Sequence, residues 1–288
     1  MSNRISRAFN NAKELEIDEQ SKIVIISDCH RGTGDLNDNF ADNEKTYFTA
    51  LRRYFDTGYT YIELGDCDEL WENRKFSMIV AQNTHIFWLL RKFERAKRFH
   101  AIYGNHDIVK KSPKWLNKNM SVYYDEHKGK NLPLFSNLNV SESLILRYKE
   151  HRLYLIHGHQ GDLLCDQLWR LGRFLVRNVW RPLELIGMKD PRSTAENRAK
   201  QNKIERRLVD WVLREQKTLI AGHTHRAKFP TNPQENGSYF NTGSCVHPRC
   251  ITALEINGGE ILLVKWGIET RDDGVLFIER SVIAKGLL

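Results

Sequence analysis

The sequence predicts an α/β fold built on a parallel β-sheet, and two observations support this class. Apolar, strand-like runs alternate with longer helix-like segments over residues 22–103, which gives a β-α-β-α-β order. This order implies a parallel sheet with right-handed crossover connections. After Met120 the pattern changes to shorter apolar runs separated by turn residues, so the second half is expected to contain more strand than helix.

The first half begins with a strand over residues 22–27, whose continuous apolar run is typical of a strand buried on both faces. The remaining elements predicted here are, in chain order, a helix over about residues 41–57, a strand over 59–64, a helix over about 78–98 and a strand over 99–103. Each strand in this series is therefore followed by a polar loop and a helix, as a parallel sheet requires.

The second half is predicted to start with a hairpin, in which residues 144–148 and 153–156 flank the polar turn 149–152. Asn-Gly-Gly at 257–259 and Arg-Asp-Asp-Gly at 271–274 indicate two further turns. The other predicted strands cover residues 218–221, 238–240, 251–256, 261–266 and 275–278.

Two helices are predicted between the hairpin and the strand at 218, over residues 162–180 and 194–216. Ser193 and Glu196 have the spacing of a capping box at the start of the second helix. The first helix carries two stripes at helical spacing, an apolar one and a basic one. The apolar stripe consists of Leu168, Leu171, Leu175 and Val179, and the basic stripe of Arg170, Arg173, Arg177 and Arg181. We interpret the chain as one domain over residues 1–288, with residues 162–217 as a helical insertion that forms a lid.

Composition limits the classes of protein that need to be considered. Hydrophobic residues make up 41% of the 288 residues, which is typical of a globular chain. The polar N-terminus and the absence of an apolar run near the roughly 18 residues needed to span a bilayer predict a cytoplasmic protein without a transmembrane segment. Five cysteines without CxxC pairs indicate reduced thiols. The net charge of +8 favours anionic partners.

Five short polar motifs each follow a predicted strand, at the strand ends where open α/β sheets bind their ligands. They are Asp28-Cys29-His30, Gly65-Asp66-Cys67-Asp68, Gly104-Asn105-His106-Asp107, His157-Gly158-His159 and Gly222-His223-Thr224-His225. Mixed imidazole and carboxylate ligands suit manganese, iron or zinc better than calcium or magnesium, with manganese our first choice. Two such ions beside each other neutralise a phosphate and generate a nucleophile. The motifs therefore predict a two-metal hydrolase.

From the motifs alone, Asp66 is the candidate for the carboxylate that bridges two ions, because it follows the second of three neighbouring strands. Asp28, His30 and one histidine of the last motif would complete the first ion's ligands. Asn105, His157 and the other histidine would complete those of the second.

In this order the motifs resemble those of the calcineurin-like metallophosphoesterase superfamily, over roughly residues 20–256. The resemblance implies a two-sheet β-sandwich flanked by helices in four layers, α/β/β/α. It also implies a hydroxide that bridges the two ions and attacks phosphorus, with His106 facing the substrate and assisting the leaving group. The implied ligands are Asp28, His30, Asp66 and His225 for the first ion and Asp66, Asn105, His157 and His223 for the second.

A closer likeness involves residues 65–71, 161–165 and 222–226, which are similar to the UDP-2,3-diacylglucosamine pyrophosphohydrolases. Those enzymes also carry a helical insertion between the fourth and fifth motifs. The likeness implies a phosphodiester or pyrophosphate-type small molecule as substrate. The chain departs from that branch at His106, where the branch has an arginine, and at His159-Gln160, which the branch lacks.

Further residues are expected to support the site. Asp107 is expected to orient His106, in keeping with the habit of carboxylates beside functional histidines. Substrate contacts are predicted for Asn105, His106, Arg173 and Arg177. His159 either contacts substrate or supports a ligand. Glu69 and Trp71 either support the site or serve in packing, and Cys29 and Cys67 are expected to be buried packing residues.

Several alternatives remain at this level. The arginine stripe gathers an anionic substrate, contacts an anionic membrane surface peripherally, or is simply solvated. The expected partner is an anionic phosphorylated small molecule, and nucleic acid is less favoured. The main rival activity is that of a nuclease or cyclic-nucleotide phosphodiesterase. A metal-free interaction scaffold is the rival of a different class, and the presence of all seven expected ligands speaks against it.

Overall fold

The computed structural model describes residues 2–125, 129–166, 168–180, 194–235 and 237–288. Arg181 and Ser193 of the predicted capping box lie outside these residues. Glu196, the other capping-box residue, lies within them, but its side chain is not among those described. Helices α1 to α5 are Ser2–Ala8, Glu44–Asp56, Phe76–Gln82, Thr84–Arg95 and Pro113–Asn119. Helices α6 to α8 are Leu163–Asp166, Trp169–Leu175 and Thr194–Glu215, and a π-helical turn covers Val176–Trp180.

The strands form two large sheets and one small hairpin. Strands β1 to β7 are Lys13–Ile17, Lys22–Ile26, Thr60–Leu64, Phe99–Ile102, Val122–Asp125, Lys130–Pro133 and Val140–Ser141. Strands β8 to β14 are Ser143–Tyr148, His151–Ile156, Thr218–Ala221, Tyr239–Asn241, Cys250–Asn257, Glu260–Thr270 and Leu276–Leu287.

The larger sheet has the strand order β14-β13-β12-β2-β3-β4-β7. Strands β2, β3 and β4 pair in parallel, which confirms the β-α-β-α-β interpretation of the first half. Strand β12 joins this parallel unit antiparallel to β2 and continues into the antiparallel strands β13 and β14. The carboxyl ends of β2, β3 and β4 therefore meet at one edge of the sheet.

The second sheet has the order β1-β8-β9-β10-β11 and packs face to face with the first. Their shared core contains apolar residues from both, including Ile25 and Ile62 from the larger sheet and Leu146 and Leu155 from the smaller one. Helices α2 and α4 cover the outer face of the larger sheet, and α1 and α8 cover that of the smaller. This arrangement confirms the predicted two-sheet α/β fold with helices on both outer faces.

The helices form where apolar residues recur at helical spacing. In α2, the residues Tyr47, Ala50, Leu51 and Tyr54 are all buried against the larger sheet, at the i, i+3, i+4 and i+7 positions of one face. In α8, Ile204, Leu208 and Trp211 do the same on the smaller sheet. Burial of these stripes fixes the helices on the sandwich.

The structure differs from the sequence expectation at the predicted helix 78–98, which is two helices, α3 and α4, separated at Asn83. The buried Asn83 side chain donates hydrogen bonds to the carbonyl oxygens of Ile79 at 2.9 Å and Gly32 at 3.1 Å. Asn83 thus ends α3 and ties it to the loop that follows β2. Helix α1 and strand β1, which pairs in parallel with β8, were not predicted.

The inserted segment is also less regular than predicted, because its described residues 162–166 and 168–180 contain two short helices and a π-helical turn instead of one helix. Its predicted apolar stripe faces outward, and neighbouring Phe174 is 59% exposed. No described helix is both long and apolar enough to cross a bilayer.

Candidate metal centre

The five polar motifs follow β2, β3, β4, β9 and β10, so their loops all leave the same end of the sandwich. Backbone hydrogen bonds join the loops directly. Asp28 N donates to Gly65 O at 3.0 Å, and Gly222 N donates to His157 O at 2.9 Å. Neighbouring loops within each sheet are therefore held against one another. A hydrogen bond from His223 N to Asp28 Oδ2 at 2.9 Å joins the loops of the two sheets.

Six of the seven predicted ligands gather in two groups. Possible ligand atoms lie within 4.8 Å of one another in a first group of Asp28, His30 and His225, and in a second group of Asp66, His157 and His223. In the first, His225 Nε2 lies 3.1 Å from Asp28 Oδ1. In the second, His157 Nε2 lies 3.0 Å from Asp66 Oδ2.

Asp66 lies between the two groups, as expected for a carboxylate that serves two ions. Its Oδ2 atom is 3.0 Å from His157 Nε2 in the second group and 4.0 Å from His30 Nε2 in the first. Its other oxygen, Oδ1, accepts a hydrogen bond from His106 N at 2.7 Å. One oxygen of Asp66 is thus fixed by the backbone while the other faces both groups.

Two buried ligand atoms, His30 Nε2 and Asn105 Oδ1, have no hydrogen-bond partner within the described part of the chain. Two others face further proposed ligands: Asp28 Oδ1 lies 3.1 Å from His225 Nε2, and His157 Nε2 lies 3.0 Å from Asp66 Oδ2. Leaving a buried polar atom unpaired costs about 1–3 kcal/mol, so such atoms require an explanation. Both unpartnered atoms belong to predicted ligands. Their oxygen and nitrogen chemistry fits divalent cations of the manganese, iron and zinc type.

Supporting hydrogen bonds aim these atoms into the site. His157 Nδ1 bonds to Leu64 O at 2.9 Å, which directs Nε2 towards the carboxylates. Asp28 Oδ2 accepts from His223 N at 2.9 Å and from the Ser27 hydroxyl, so that Oδ1 is left for a ligand role. These contacts orient the donor set without using its inward-facing atoms.

The backbone at the predicted ligands is unusual. Five of the seven have left-handed φ angles between 50° and 67°, a region that non-glycine residues occupy rarely. They are Asp28, His30, Asp66, His223 and His225. The glycines before the ligands permit close approach: a side chain on Gly104 would collide with Asp66, and one on Gly222 would collide with Ser27 and Asp28.

Glu69 joins a predicted ligand to the substrate-facing histidine. Its carboxylate bonds to His30 Nδ1 and to His106 Nδ1, both at 2.8 Å. The Trp71 ring stacks on the His106 ring, with centroids 4.5 Å apart and an interplanar angle of 20°. Glu69 and Trp71 therefore fix the orientation of His106, a role that the sequence left open against simple packing.

Charge and burial shift the pKa values of these groups strongly. Burial acts to raise the pKa of Asp28, but His225 and His157 outweigh it and lower the value to about 2. Burial acts to lower the pKa of His106, but Glu69 and Asp66 raise it to about 10. Burial and the charge of His157 lower the pKa of His223 to about 3. The site thus has ionised carboxylates, a protonated His106 and a neutral His223.

The expected pairing of Asp107 with His106 was wrong. Asp107 instead accepts hydrogen bonds from Gly104 N at 2.7 Å and from Lys110 Nζ at 2.7 Å. Lys110 Nζ also lies 2.6 Å from Asp68, which in turn pairs with the buried Arg31. The Asp107 side chain is buried, whereas the His106 ring is held by Glu69. Asp107 therefore belongs to a buried charge network that joins the loops after β2, β3 and β4.

Three other residues predicted to contact substrate are in contact with protein groups in the structure. His159 is fully buried, with its ring centroid 5.6 Å from that of His157. Arg173 stacks on Trp169 at 4.9 Å. Arg177 donates hydrogen bonds to the carbonyl oxygens of Leu70 and Trp71 at 2.6 and 2.9 Å. Arg177 thus anchors the inserted segment to the loop after β3 because its donors are used by backbone acceptors.

A cavity of about 440 Å³ opens directly onto the centre. Its walls include His106, Trp71 and predicted metal ligands, and the inserted segment contributes Val176 and Lys200. Lys200 Nζ lies 3.0 Å from Asp162. Sequence reasoning missed Lys200, since it is one of 13 basic residues between positions 166 and 217 and no motif marks it.

The chain belongs to the calcineurin-like phosphoesterase family, whose family model matches residues 21–227. This membership confirms the resemblance drawn from the five motifs, and it supports metal-dependent phosphoesterase activity in general. No curated protein matches the chain.

Solved structures with a related fold include three of low sequence identity. A conserved uncharacterized protein from Streptococcus pneumoniae, described as a predicted phosphoesterase, is 13% identical with a TM-score of 0.36, and the match covers 91% of this chain and 97% of that one. Vps29 from Chaetomium thermophilum is 10% identical with a TM-score of 0.40, covering 92% and 98%. The same Vps29 complexed with a cyclic peptide is 10% identical with a TM-score of 0.36, covering 93% and 97%.

Proposed function

We propose that the protein hydrolyses a phosphodiester or diphosphate bond of an anionic small molecule at a centre of two divalent ions, with manganese the best-suited metal and iron or zinc as substitutes. One observation carries the proposal: six of the seven expected ligands gather in two groups, and the buried ligand atoms His30 Nε2 and Asn105 Oδ1 lack a hydrogen-bond partner in the described part of the chain. A pair of cations satisfies those atoms and neutralises the carboxylates.

The proposed ligand roles combine the two groups with the assignment that the family resemblance implies. The proposed ligands are Asp28, His30, Asp66 and His225 for the first ion and Asp66, Asn105, His157 and His223 for the second. When bound, the two ions supply charge neutralisation of the phosphate and an activated water as nucleophile.

His106 is proposed to protonate the leaving oxygen. It lines the cavity, and its Nδ1 atom is held by Glu69, so its Nε2 atom is the one available to the substrate. Glu69 and Asp66 keep the pKa of His106 raised to about 10 against the effect of burial, so the ring holds a proton at neutral pH. A positioned acid of this kind typically contributes about 10²- to 10⁴-fold to the rate.

The inserted segment is proposed to act as the lid that selects the substrate. Lys200 places a cation in the cavity, and Val176 and Trp71 add apolar surface, which suits an anionic and partly apolar molecule. Lys111, Arg170 and Arg173 all lie 4.9 to 5.5 Å from the ring centroid of Trp169.

This cationic cluster lies beside outward-facing apolar side chains of the same helix, of which Leu171 is 52% exposed. The combination supports peripheral contact with the anionic inner face of a membrane by a cytoplasmic enzyme. Substituting Arg170 and Arg173 by Gln is expected to weaken binding to anionic liposomes while leaving binding to neutral liposomes unchanged. Equal liposome binding by the variant would exclude this membrane role.

The hydrolytic function is tested with bis-p-nitrophenyl phosphate in manganese. Asp66→Asn and His223→Ala are expected to abolish hydrolysis, because each removes a proposed ligand. Asp273→Asn and His247→Ala change exposed residues of the same types and serve as matched controls. Near-wild-type rates in the two site variants would refute the assignment. Absence of bound metal in purified protein at every pH would instead favour the metal-free scaffold, and a preference for cyclic nucleotides or nucleic acid would favour the rival esterases.

A further inference from the structure

A third group of metal-binding side chains lies at the base of the inserted segment. Ligand atoms of Asp162, Cys165 and His223 lie within 4.8 Å of one another. Asp162 comes just before α6 and Cys165 lies within it, whereas His223 belongs to the loop after β10. The group thus links the base of the lid to the proposed second-ion ligand His223.

Asp162 already contacts a thiol and an ammonium group, and the group of three side chains can be reached from the cavity. Cys165 Sγ donates a hydrogen bond to Asp162 Oδ2 at 3.2 Å, and the Lys200 ammonium lies 3.0 Å from the same carboxylate. Burial and the charge of Asp162 raise the pKa of the Cys165 thiol, so the sulfur carries its proton. Both Cys165 and His223 line the cavity, which provides an entry path.

The donor atoms select a borderline-soft metal. One thiolate, one imidazole and one carboxylate are all ligands that zinc accepts, and three protein ligands leave a fourth tetrahedral position open. Manganese prefers oxygen and nitrogen donors, and the seven ligands proposed for the catalytic centre include no sulfur. We propose that Asp162, Cys165 and His223 form a zinc site, distinct from the two catalytic positions, whose occupation inhibits the enzyme.

Zinc binding replaces two positive groups that are already beside Asp162, a proton and an ammonium. The thiol gives up its proton to solvent as sulfur binds zinc, and the zinc ion replaces the Lys200 ammonium beside Asp162. Inhibition follows because zinc takes His223, a proposed ligand of the second catalytic ion. Only this inhibitory consequence rests on the proposed function, since the zinc site itself requires no hydrolysis.

Cobalt is the probe for the site, because a cobalt–thiolate bond gives a near-ultraviolet charge-transfer band that nitrogen and oxygen ligands do not give. Titration of the full chain with Co²⁺ is expected to produce this band in wild type and in Cys250→Ser, and Cys165→Ser is expected to lack it. Cys250 is the matched control because it is partly exposed and lies outside the group. Circular dichroism verifies that both variants are folded.

Zinc inhibition provides the second readout. Excess zinc is expected to inhibit the manganese-loaded wild type and Cys250→Ser. For Cys165→Ser the zinc concentration needed for inhibition is expected to rise on the order of tenfold, because the loss of one ligand weakens zinc binding. A charge-transfer band that persists in Cys165→Ser, or that never appears in wild type, would overturn the zinc site. If the band behaves as expected while Asp66→Asn retains hydrolysis, the zinc site stands and the proposed catalytic centre falls.

Discussion

Glu69 offers the sharpest test of how the centre works, because one buried carboxylate holds both a proposed ligand and the proposed acid. It bonds to His30 Nδ1 and His106 Nδ1, each at 2.8 Å. It also accepts backbone hydrogen bonds from Trp71 N at 3.1 Å and Glu72 N at 3.3 Å. Glu69→Gln preserves the size of the side chain but removes its charge and gives it one acceptor oxygen instead of two.

The magnitude follows from the two imidazole contacts. A hydrogen bond to a charged group contributes about 1.5–3 kcal/mol net, and every 1.4 kcal/mol corresponds to about a tenfold change. Loss of a partner that orients a metal ligand typically costs about 10- to 100-fold in metal affinity or activity. We therefore expect kcat/KM of Glu69→Gln to fall by about 10- to 100-fold, with a parallel weakening of manganese binding through His30.

The leaving group separates the two effects. At saturating manganese the His30 contribution is suppressed, and the remaining loss reports on His106. A phenolate leaves less readily than a p-nitrophenolate and depends more on proton transfer, so the loss should be larger for diphenyl phosphate than for bis-p-nitrophenyl phosphate. Glu72→Gln removes an acid that lines the same cavity, and it should change kcat/KM only slightly and by the same factor for both substrates.

Two outcomes would refute this reasoning. An equal loss for both leaving groups at saturating manganese would show that Glu69 does not act through His106. Unchanged manganese affinity and unchanged kcat/KM would show that the Glu69 hydrogen bonds are dispensable altogether.

Three further predictions concern stability. Lys110→Met leaves two buried carboxylates without their shared cation and should lower the free energy of unfolding in urea by about 3–5 kcal/mol, whereas the exposed control Lys111→Met should change it by less than about 0.5 kcal/mol. Burial and Lys13 lower the pKa of His100 from 6.5 to about 4. The neutral imidazole of the folded protein therefore makes its full contribution to the free energy of unfolding above the pKa of the unfolded chain, and this contribution is lost as the pH falls towards 4. His100→Gln should therefore lose less stability than wild type in urea titrations when pH falls from about 7 to about 5. Chelation of metal should lower the melting temperature and manganese should restore it in a concentration-dependent way, and Asp66→Asn should show neither change.

The order of the motifs along the chain was enough to predict the core of the fold, because each strand ends in a residue with a recognisable function. Residues 23–26 are all apolar and only Ser27 separates them from Asp28, so both the strand and the loop could be located. Strand β1 escaped prediction because Lys13–Ile17 alternates with only two apolar residues, and its pairing with β8 is a long-range contact.

The hydrogen-bond partners of the site residues could not be predicted from which residues are neighbours in the sequence. Asp107 follows His106 directly, yet Asp107 bonds to Gly104 N and Lys110 and not to His106. Glu69 lies 37 positions away from His106 and still supplies its hydrogen bond. Sequence spacing finds groups that share a loop, whereas this pairing depends on how the loops after β3 and β4 pack against each other. Lys200 shows the same limit, since its place in the cavity depends on the packing of α8.

The local conformation of the centre bears on whether the protein is an enzyme or a scaffold. Each non-glycine residue in the left-handed region costs about 1–2 kcal/mol, and five proposed ligands adopt it together. Two buried ligand atoms without hydrogen-bond partners in the described residues, His30 Nε2 and Asn105 Oδ1, add about 1–3 kcal/mol each. A scaffold that binds no metal would gain stability by relaxing these loops or replacing these side chains. Cation binding at the proposed centre would offset both costs at the same place, so the strain itself favours a metal centre over a metal-free interaction surface.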